Sequence, residues 1–220
     1  MSRITKLEPQ QGAARRISVF VDDRFVAGLS ARAVRDLGLQ VGHEFSADLH
    51  REILRASARD SALLSLARRE HSRAELTGKL HQKGFAGELI ALVLDELERQ
   101  RYLDDRRFAR MWVEHRRASH PRGRRMMALE LEHKGVSTEI AREALDAAFP
   151  EDEECGDLAE LIRKRLRNAR RTEPQVFKRR LLGFLARRGF SYADIRQVLA
   201  EQFPQFGHPA TDEGGLPDDE

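Results

Sequence analysis

The start and the end of one helix can be read in residues 72–85, Ser72-Arg-Ala-Glu-Leu-Thr-Gly-Lys-Leu-His-Gln-Lys-Gly-Phe85. Ser72 followed three residues later by Glu75 is typical of a capping box, in which the serine hydroxyl accepts a backbone N–H that the helix leaves unpaired. Gly84 is typical of a helix end, because glycine adopts the left-handed backbone conformation without a Cβ clash. The stretch therefore predicts a helix that begins after Ser72 and ends before Gly84.

The same turn occurs twice more along the chain. Gly135 and Gly189 each follow a basic residue and precede an apolar one, as Gly84 does, and the three glycines are 51 and 54 residues apart. Apolar residues stand 8 and 4 residues before each glycine and 9 and 10 residues after it. These residues are Leu76, Leu80, Val93 and Leu94; Met127, Leu131, Ala144 and Leu145; and Leu181, Leu185, Val198 and Leu199. Since such spacing recurs when a structural unit recurs, it predicts three helical repeats.

A further helix is predicted before each of these helix pairs, over residues 58–69, 105–117 and 153–171. Asp104 or Asp105 is the candidate N-cap of the second of these helices. The chain is therefore predicted to be mainly α, with three tandem three-helix repeats over residues 57–104, 105–152 and 153–206. Stacked repeats of this size form an elongated, curved body. A single all-α bundle with accidental periodicity is the alternative.

Residues 1–56 follow a different pattern and predict a small α+β module. Apolar residues alternate over Arg16–Val21, Asp22-Asp23 follows as a turn, and a return strand comes next, which is typical of a β-hairpin. Ser30 is the candidate cap of a short helix. We also predict a third short strand over Val41–Phe45.

Composition excludes several classes of protein. No apolar run approaches the roughly 20 residues that span a bilayer, and residues 1–10 lack the apolar core of a secretory signal. We therefore expect a cytoplasmic protein that does not bind membranes. The single cysteine, Cys155, excludes an intramolecular disulfide and a cysteine-based zinc site.

The sequence also lacks the motifs of an enzyme. None of its eight histidines belongs to an H-E-x-x-H pair, and Gly78-Lys79 lacks the other residues of a phosphate-binding loop. Cys155 lies in an acidic segment, which disfavours a reactive thiolate. We therefore expect no catalytic residue, no metal and no cofactor.

Positive charge is concentrated in the body of the chain. Lys and Arg number 39 against 36 Asp and Glu, a net charge of +3, but residues 207–220 hold five acids and no base, so residues 1–206 carry +8. We predict a disordered acidic tail over residues 207–220. The remaining excess is mostly arginine, which favours a surface for a polyanion. The tail is a candidate competitor for that surface.

Nine basic residues form the candidate binding surface. On a helical wheel, six of them lie about 140–200° from the predicted core residues Phe108 and Ile162 of two equivalent helices. The other three lie in the loop after the first of these helices. In that first helix, Trp112 and His115 are also predicted to face the core. The candidates are Arg106, Arg110, Arg117, Arg122, Arg124, Arg125, Lys164, Arg167 and Arg171. Polar residues are expected opposite any core, but the dominance of one charge sign in two repeats favours binding.

Three stretches resemble the RecX family of regulatory proteins. Residues 72–85 are similar to the family's RSRAELxxKLxxKGF motif, and Tyr102-Leu-Asp-Asp-Arg-Arg-Phe-Ala109 is similar to its LDDxRFA link. Residues 178–192 are similar to its C-terminal repeat. The resemblance covers about residues 57–203, preceded by a hairpin module like that of the longer members. The loop Ser119–Arg125 departs from the family's Lys/Gly-rich stretch.

The resemblance implies three tandem three-helix repeats and a regulatory role without chemistry of its own. RecX proteins bind the RecA recombinase filament on single-stranded DNA, lie along its helical groove and inhibit its extension, strand exchange, ATP hydrolysis and co-protease activity. The processes implied are homologous recombination, DNA repair and the SOS response. The expected partners are the RecA filament and, weakly and with salt dependence, single- and double-stranded DNA; we expect a monomer.

Under this interpretation, the nine basic residues contact the filament. A stand-alone DNA-binding protein is the alternative, because helix–turn–helix units with basic helices can also dock in a major groove.

Overall fold

The computed structural model describes residues 2–10, 16–150, 153–167 and 174–204. A three-stranded antiparallel sheet comes first, in the order β1 (Ile4–Pro9), β2 (Arg16–Val21) and β3 (Arg24–Ser30). The helices of the described residues follow: α1 (Ala31–Asp36), α2 (Ala47–Leu66), α3 (Arg73–Gln82), α4 (Gly87–Arg99), α5 (Asp105–Ser119), α6 (Arg124–His133), α7 (Thr138–Ala148), α8 (Glu153–Arg167), α9 (Pro174–Arg187) and α10 (Tyr192–Gln202).

The predicted hairpin is confirmed as β2 and β3. Asp22 and Asp23 have φ angles of 46° and 61°, the left-handed conformation of a two-residue turn that matches the twist of its strands. The predicted strand Val41–Phe45 is wrong, because the third strand of the sheet is β1, which pairs with β2. Gly42, with a φ of 92°, breaks the extended run, and the segment contributes an isolated bridge between Glu44 and Arg3.

Helix α2 begins eleven residues before the predicted start at residue 58. Ser46 caps it, since its Oγ accepts the Leu49 N–H at 3.1 Å. One helix thereby serves two cores: Ile53 is buried against the sheet, and Ala58 is buried among α3 and α4. The predicted limit at residues 56/57 lies inside this helix, and we keep it as the proposed limit between the two cores.

The predicted repeat frame is confirmed in the helix pairs α3–α4, α6–α7 and α9–α10. All twelve apolar positions counted from the three glycines are buried, none more than 4% exposed. Gly84, Gly135 and Gly189 have φ angles of 85°, 71° and 85°. The left-handed conformation at each glycine ends α3, α6 or α9. Glycine is favoured at these positions because a residue with a Cβ is strained there.

The chain divides into two compact units. The first contains residues 1–108 and 134–136, and the second contains residues 109–133 and 137–220. In the first unit, one core lies between the sheet, α1 and the start of α2, and another lies among α2, α3 and α4. In the second unit, α8, α9 and α10 share a core that includes Ile162, Leu181 and Val198.

Candidate nucleic-acid interface

The nine predicted basic residues fall into different classes in the structure. Four of them are exposed and pair with no carboxylate of the described residues: Arg110, Arg125, Lys164 and Arg167. Arg106 is also exposed, and its backbone N–H donates to Oδ1 of Asp104 at 2.9 Å. Arg171 lies outside the described residues. The charges of the first four residues are therefore available to a polyanion.

The prediction that Arg117 lies on an outward-facing stripe is wrong. Its side chain is 23% exposed, and its Nε donates to Oδ2 of Asp157 at 2.8 Å. Its guanidinium carbon lies 4.6 Å from the centroid of the Phe149 ring, and Nη1 donates to the carbonyl oxygen of Ala148. A helical wheel identifies only the side of α5 that its own core covers, whereas here the end of α7 and α8 cover the other side.

Arg122 and Arg124, from the loop before α6 and its first residue, are also engaged inside the second unit. Arg122 forms an ion pair with Glu130. Arg124 forms one with Asp146, and its Nη1 donates to the carbonyl oxygen of Phe149 at 3.3 Å. The charges of both arginines are therefore partly compensated within the protein.

The core-facing side of α5 differs from the prediction. Phe108 is buried as expected, but Trp112 is half-buried and His115 is exposed. Ala109 and Val113 are fully buried instead. The inner side of α5 is thus rotated toward these small residues, which is one reason why the wheel misplaces Arg117.

Trp112 belongs to a polar network inside the second unit. Its Nε1 donates to Oε2 of Glu130 at 3.2 Å, and the guanidinium carbon of Arg116 lies 4.7 Å from its ring centroid. Arg116 Nε donates to the same carboxylate oxygen at 2.8 Å. These contacts engage both the indole N–H and the ring of Trp112 inside the second unit.

In the first unit, the glycine turn after α6 packs against the start of α3. Ser72 Oγ accepts the Glu75 N–H at 3.1 Å and donates to the carbonyl oxygen of Lys134 at 2.6 Å. A Cβ on Gly135 would lie 2.3 Å from the Cβ of Ala74. We call these five residues the first docking contact. It requires glycine both for the φ angle of residue 135 and for the close approach.

The carboxylate of Glu75 is the electrostatic centre of this contact. It accepts hydrogen bonds from Arg69 Nη1 at 2.8 Å and from Lys134 Nζ at 2.7 Å, and it lies 2.8 Å from His71 Nδ1. Burial alone would raise the pKa of Glu75, but the hydrogen bonds from Arg69, Lys134 and His71 outweigh burial and lower it to about 2. The predicted capping box thus forms in its serine half, while the glutamate binds these side chains.

His71 is 1% exposed and bridges two charged groups. Its Nδ1 lies 2.8 Å from Oε2 of Glu75, and its Nε2 lies 3.1 Å from Nζ of Lys79. Burial lowers the pKa of His71. A neutral ring satisfies both contacts, since Nδ1–H donates to the carboxylate and Nε2 accepts from the ammonium group.

In the second unit, the glycine turn after α9 packs against the start of α6 in an equivalent way. The Gly123 N–H donates to the carbonyl oxygen of Arg188 at 2.9 Å. A Cβ on Gly123 would lie 2.2 Å from the carbonyl oxygen of Gly189, and a Cβ on Gly189 would lie 2.5 Å from the Cβ of Met126. We call these four residues the second docking contact.

Carboxylates occupy equivalent places at the starts of α3 and α6. Asp105 accepts the Arg73 N–H at 2.8 Å, and Glu154 accepts the Arg124 N–H at 2.9 Å. Burial raises the pKa of both acids. The N-cap of α5 is Asp104, whose carboxylate accepts two N–H groups of the first turn of α5, at 2.9 and 3.0 Å. Asp105, the other candidate for that cap, therefore serves α3.

The wheel did not identify two further basic residues of the second unit. The guanidinium carbons of Arg165 and Arg188 lie 4.2 and 4.7 Å from the centroid of the Phe184 ring. A basic residue stands directly before the glycine in all three turns, and Arg188 is the third of them. This recurrence was a sequence signal that pointed to the position. No sequence signal indicates that Arg165 contacts the same ring.

The described residues contain neither a membrane-spanning helix nor a cluster of metal-ligating side chains. No helix among them is long and apolar enough to cross a bilayer. Among the same residues, no three His, Cys, Asp or Glu side chains are grouped so that they could hold a metal ion.

The fold and its docking contacts define a helical-repeat protein with an N-terminal sheet module. The family model of the regulatory protein RecX N-terminal domain matches residues 2–46. The models of the first, second and third three-helix domains of RecX match residues 58–97, 104–145 and 151–199. The chain therefore belongs to the RecX family, and the predicted class of three tandem three-helix repeats is confirmed.

Curated relatives agree with this assignment. A protein from Thermobifida fusca (strain YX) named regulatory protein RecX is 36% identical over 167 residues, which cover 74% of this chain and 90% of the relative. A protein of the same name from Clostridium botulinum (strain Alaska E43 / Type E3) is 28% identical over 207 residues, 91% of this chain and 96% of the relative.

Solved structures share the fold. A crystal structure of regulatory protein RecX aligns with a TM-score of 0.65 at 20% identity, over 91% of this chain and all of the other. The crystal structure of RecX from Lactobacillus salivarius aligns with a TM-score of 0.61 at 20% identity, over 67% of this chain and 96% of the other.

Proposed function

We propose that this chain regulates the RecA recombinase by binding its filament on single-stranded DNA. Binding would inhibit filament extension, strand exchange, ATP hydrolysis and co-protease activity, and so act on homologous recombination, DNA repair and the SOS response. The chain would act in the cytoplasm, as a monomer, through binding rather than catalysis. The resemblance and the family membership support the choice of partner.

The observation that carries the proposed mode of binding is the uncompensated positive charge of Arg110, Arg125, Lys164 and Arg167. Four exposed bases without an internal carboxylate carry charge that an external polyanion can neutralise. Contacts of this kind are individually weak but add up when several lie on one binding surface. They also make binding depend on salt, because each phosphate contact releases condensed counterions. Arg106 and Arg171 remain proposed contributors, whereas Arg117, Arg122 and Arg124 are proposed to contribute less because their charges are engaged internally.

The proposal is tested by titrating the chain into a RecA ATPase assay on single-stranded DNA. We expect the unmodified chain to slow ATP hydrolysis. Charge reversal to Glu of Arg110, Arg125, Lys164 and Arg167 together should raise the concentration for half-inhibition by about tenfold or more. The matched control reverses four other exposed arginines, Arg24, Arg35, Arg68 and Arg142, and should stay close to the unmodified chain.

Three outcomes would contradict the proposal. No effect of the unmodified chain on RecA would reject the recombinase as the partner. Equal losses in the two reversed variants would show that net charge matters and that the named residues do not. Tight, sequence-selective binding to duplex DNA without RecA would instead favour the stand-alone DNA-binding protein.

A further inference from the structure

Two arginines from separate helices meet at one aromatic ring in the second unit. Arg165 belongs to α8, and Arg188 directly follows α9, which carries Phe184. Their guanidinium carbons lie 4.2 and 4.7 Å from the ring centroid of Phe184. Arg122, before α6, lies close enough to act electrostatically on Arg188. We call these four residues the Phe184 cluster.

Carboxylates compensate little of the charge in this cluster. Arg165 is exposed, and within the described residues the Phe184 ring is the contact that its guanidinium makes. Arg188 Nη1 donates to the carbonyl oxygen of Pro121 at 3.0 Å, a neutral acceptor. Arg122 pairs with Glu130. Two of the three guanidinium groups thus retain a full charge without an anion of the described chain beside them.

Such an arrangement is costly unless an anion binds to it. Burial lowers the pKa of Arg188, and the positive charges of Arg122 and Arg165 lower it further. A cation over an aromatic face gains roughly 0.5–1 kcal/mol at an exposed site, but this contact does not neutralise the charge. An external anion would remove the repulsion and use the N–H donors of Arg165, which the ring holds in position.

We infer that the Phe184 cluster binds a backbone phosphate of single-stranded nucleic acid. Guanidinium groups match the oxygen atoms of a phosphate with paired N–H donors. A nucleic acid is favoured over a protein carboxylate because the positive charge extends along the chain: residues 158–190 contain eleven bases and two acids. Such an excess of bases suits a strand whose negative charge repeats regularly along its backbone.

The inference rests on the proposed function, because the strand inside the recombinase filament is the expected source of the phosphate. It adds two residues to the proposed surface, Arg165 and Arg188, that were not among the nine candidates. It also assigns a role to Phe184, which positions the two guanidinium groups and needs no contact with a base.

The test measures fluorescence anisotropy of a labelled oligo(dT) strand with the full chain, without RecA, over a range of salt concentrations. Arg165→Glu should weaken binding by about tenfold and make the negative slope of log K against log salt shallower by about 0.7 or more. Arg196→Glu is the matched control. Arg196 is exposed and lies 4.8 Å from the Tyr192 ring centroid, so it reproduces the charge change at a single arginine–aromatic pair.

The outcomes separate this site from the proposed function. Equal weakening by Arg165→Glu and Arg196→Glu, no weakening by Arg165→Glu, or no binding of oligo(dT) by the unmodified chain would each overturn the site. So would loss of RecA-filament binding by Arg165→Glu with unchanged oligo(dT) binding, which would identify the anion as a protein carboxylate. Failure of the unmodified chain to inhibit RecA, with oligo(dT) binding still sensitive to Arg165, would reject the proposed function and keep the site. Circular dichroism of both variants shows whether each keeps its helices.

Discussion

In both docking contacts a glycine turn packs against the start of a helix, but different groups join the two segments. In the first, polar side chains join the segments: Ser72 binds the carbonyl of Lys134, and Glu75 binds its ammonium group. In the second, Gly123 and Met126 stand at the positions equivalent to Ser72 and Glu75, twelve and nine residues before the turn glycine of the same repeat. There the backbone of Gly123 itself meets Arg188 and Gly189.

This difference shows what a repeat must preserve. Both contacts keep a left-handed glycine against the start of the preceding repeat's middle helix, because a Cβ on Gly135 or on Gly189 would collide with that helix. The side chains around the glycine are free to differ as long as the backbone groups at the helix start are hydrogen-bonded. Both contacts therefore depend on the turn glycine. The first depends in addition on charge, and the second depends in addition on the absence of a side chain at residue 123.

The largest effect is expected from Gly189→Ala in the second docking contact. The new Cβ would lie 2.5 Å from the Cβ of Met126 and 2.7 Å from its backbone nitrogen. The left-handed φ adds strain, and the backbone of α6 cannot yield as a flexible side chain would. We expect the free energy of unfolding to fall by about 3–4 kcal/mol, measured by urea unfolding followed by circular dichroism.

Gly84→Ala is the matched control for this substitution. Gly84 has the same φ of 85°, but nothing lies within 4 Å of a Cβ built on it. Gly84→Ala should lower the free energy of unfolding only by the cost of the backbone strain, about 1–2 kcal/mol. Equal losses for the two variants would show that the close approach to Met126 adds nothing to stability.

The next effect is expected from Glu75→Gln in the first docking contact. The pKa of Glu75 falls from 4.5 for an ordinary glutamate to about 2 in the folded protein. A lowered carboxyl pKa stabilises the folded state fully above pH 4.5, and this stabilisation is lost as the pH falls from about 4.5 to about 2. Glu75→Gln should therefore cost about 2–3 kcal/mol at pH 7 and about 1 kcal/mol at pH 3.

The measurement compares urea unfolding of Glu75→Gln and the unmodified chain at several pH values between 7 and 3. Glu132→Gln, at an exposed position of α6, serves as the control and should change stability little. If the cost of Glu75→Gln were the same at pH 7 and pH 3, the carboxylate would not be the source of the stabilisation.

The smallest effect is expected from Ser72→Ala. The substitution removes the acceptor for the Glu75 N–H and the donor to the Lys134 carbonyl, so we expect a loss of about 1–2 kcal/mol in thermal or urea unfolding. Ser137→Ala removes a helix cap alone, since Ser137 Oγ accepts the Ile140 N–H at 3.3 Å, and should cost about 0.5–1 kcal/mol. A larger loss for Ser137→Ala would reject the contribution of the Lys134 bond.

Much of the fold could be predicted from the sequence because its signals are local. The start of α3 at Ser72 and its end at Gly84 depend on the residues of that segment alone. The prediction of a strand over Val41–Phe45 was wrong because Gly42 interrupts the extended backbone there. The place beside β2 is taken by β1, whose sequence was not identified as a strand. Helix α2 was predicted too short, although its start is also marked locally by Ser46, whose Oγ accepts the Leu49 N–H.

The candidate site was less predictable for a related reason. Lys164 and Arg117 look alike on a helical wheel, yet Lys164 is exposed and Arg117 is bound to Asp157, forty residues away in the chain. A wheel describes one helix and its own core. It contains no information on which neighbouring helix covers the opposite side, and so it cannot distinguish these two residues.

The sequence by itself determined the repeat, the helix ends and the buried apolar positions, since caps, left-handed glycines and helical periodicity are set by residues a few positions apart. Only the tertiary structure decided which charges are compensated inside the protein. Glu75 acquires Lys134 as a partner 59 residues away, and Arg165 meets Arg188 at Phe184. Ion pairs and cation clusters form wherever folding brings side chains within a few ångströms, and that distance is a property of the packed chain.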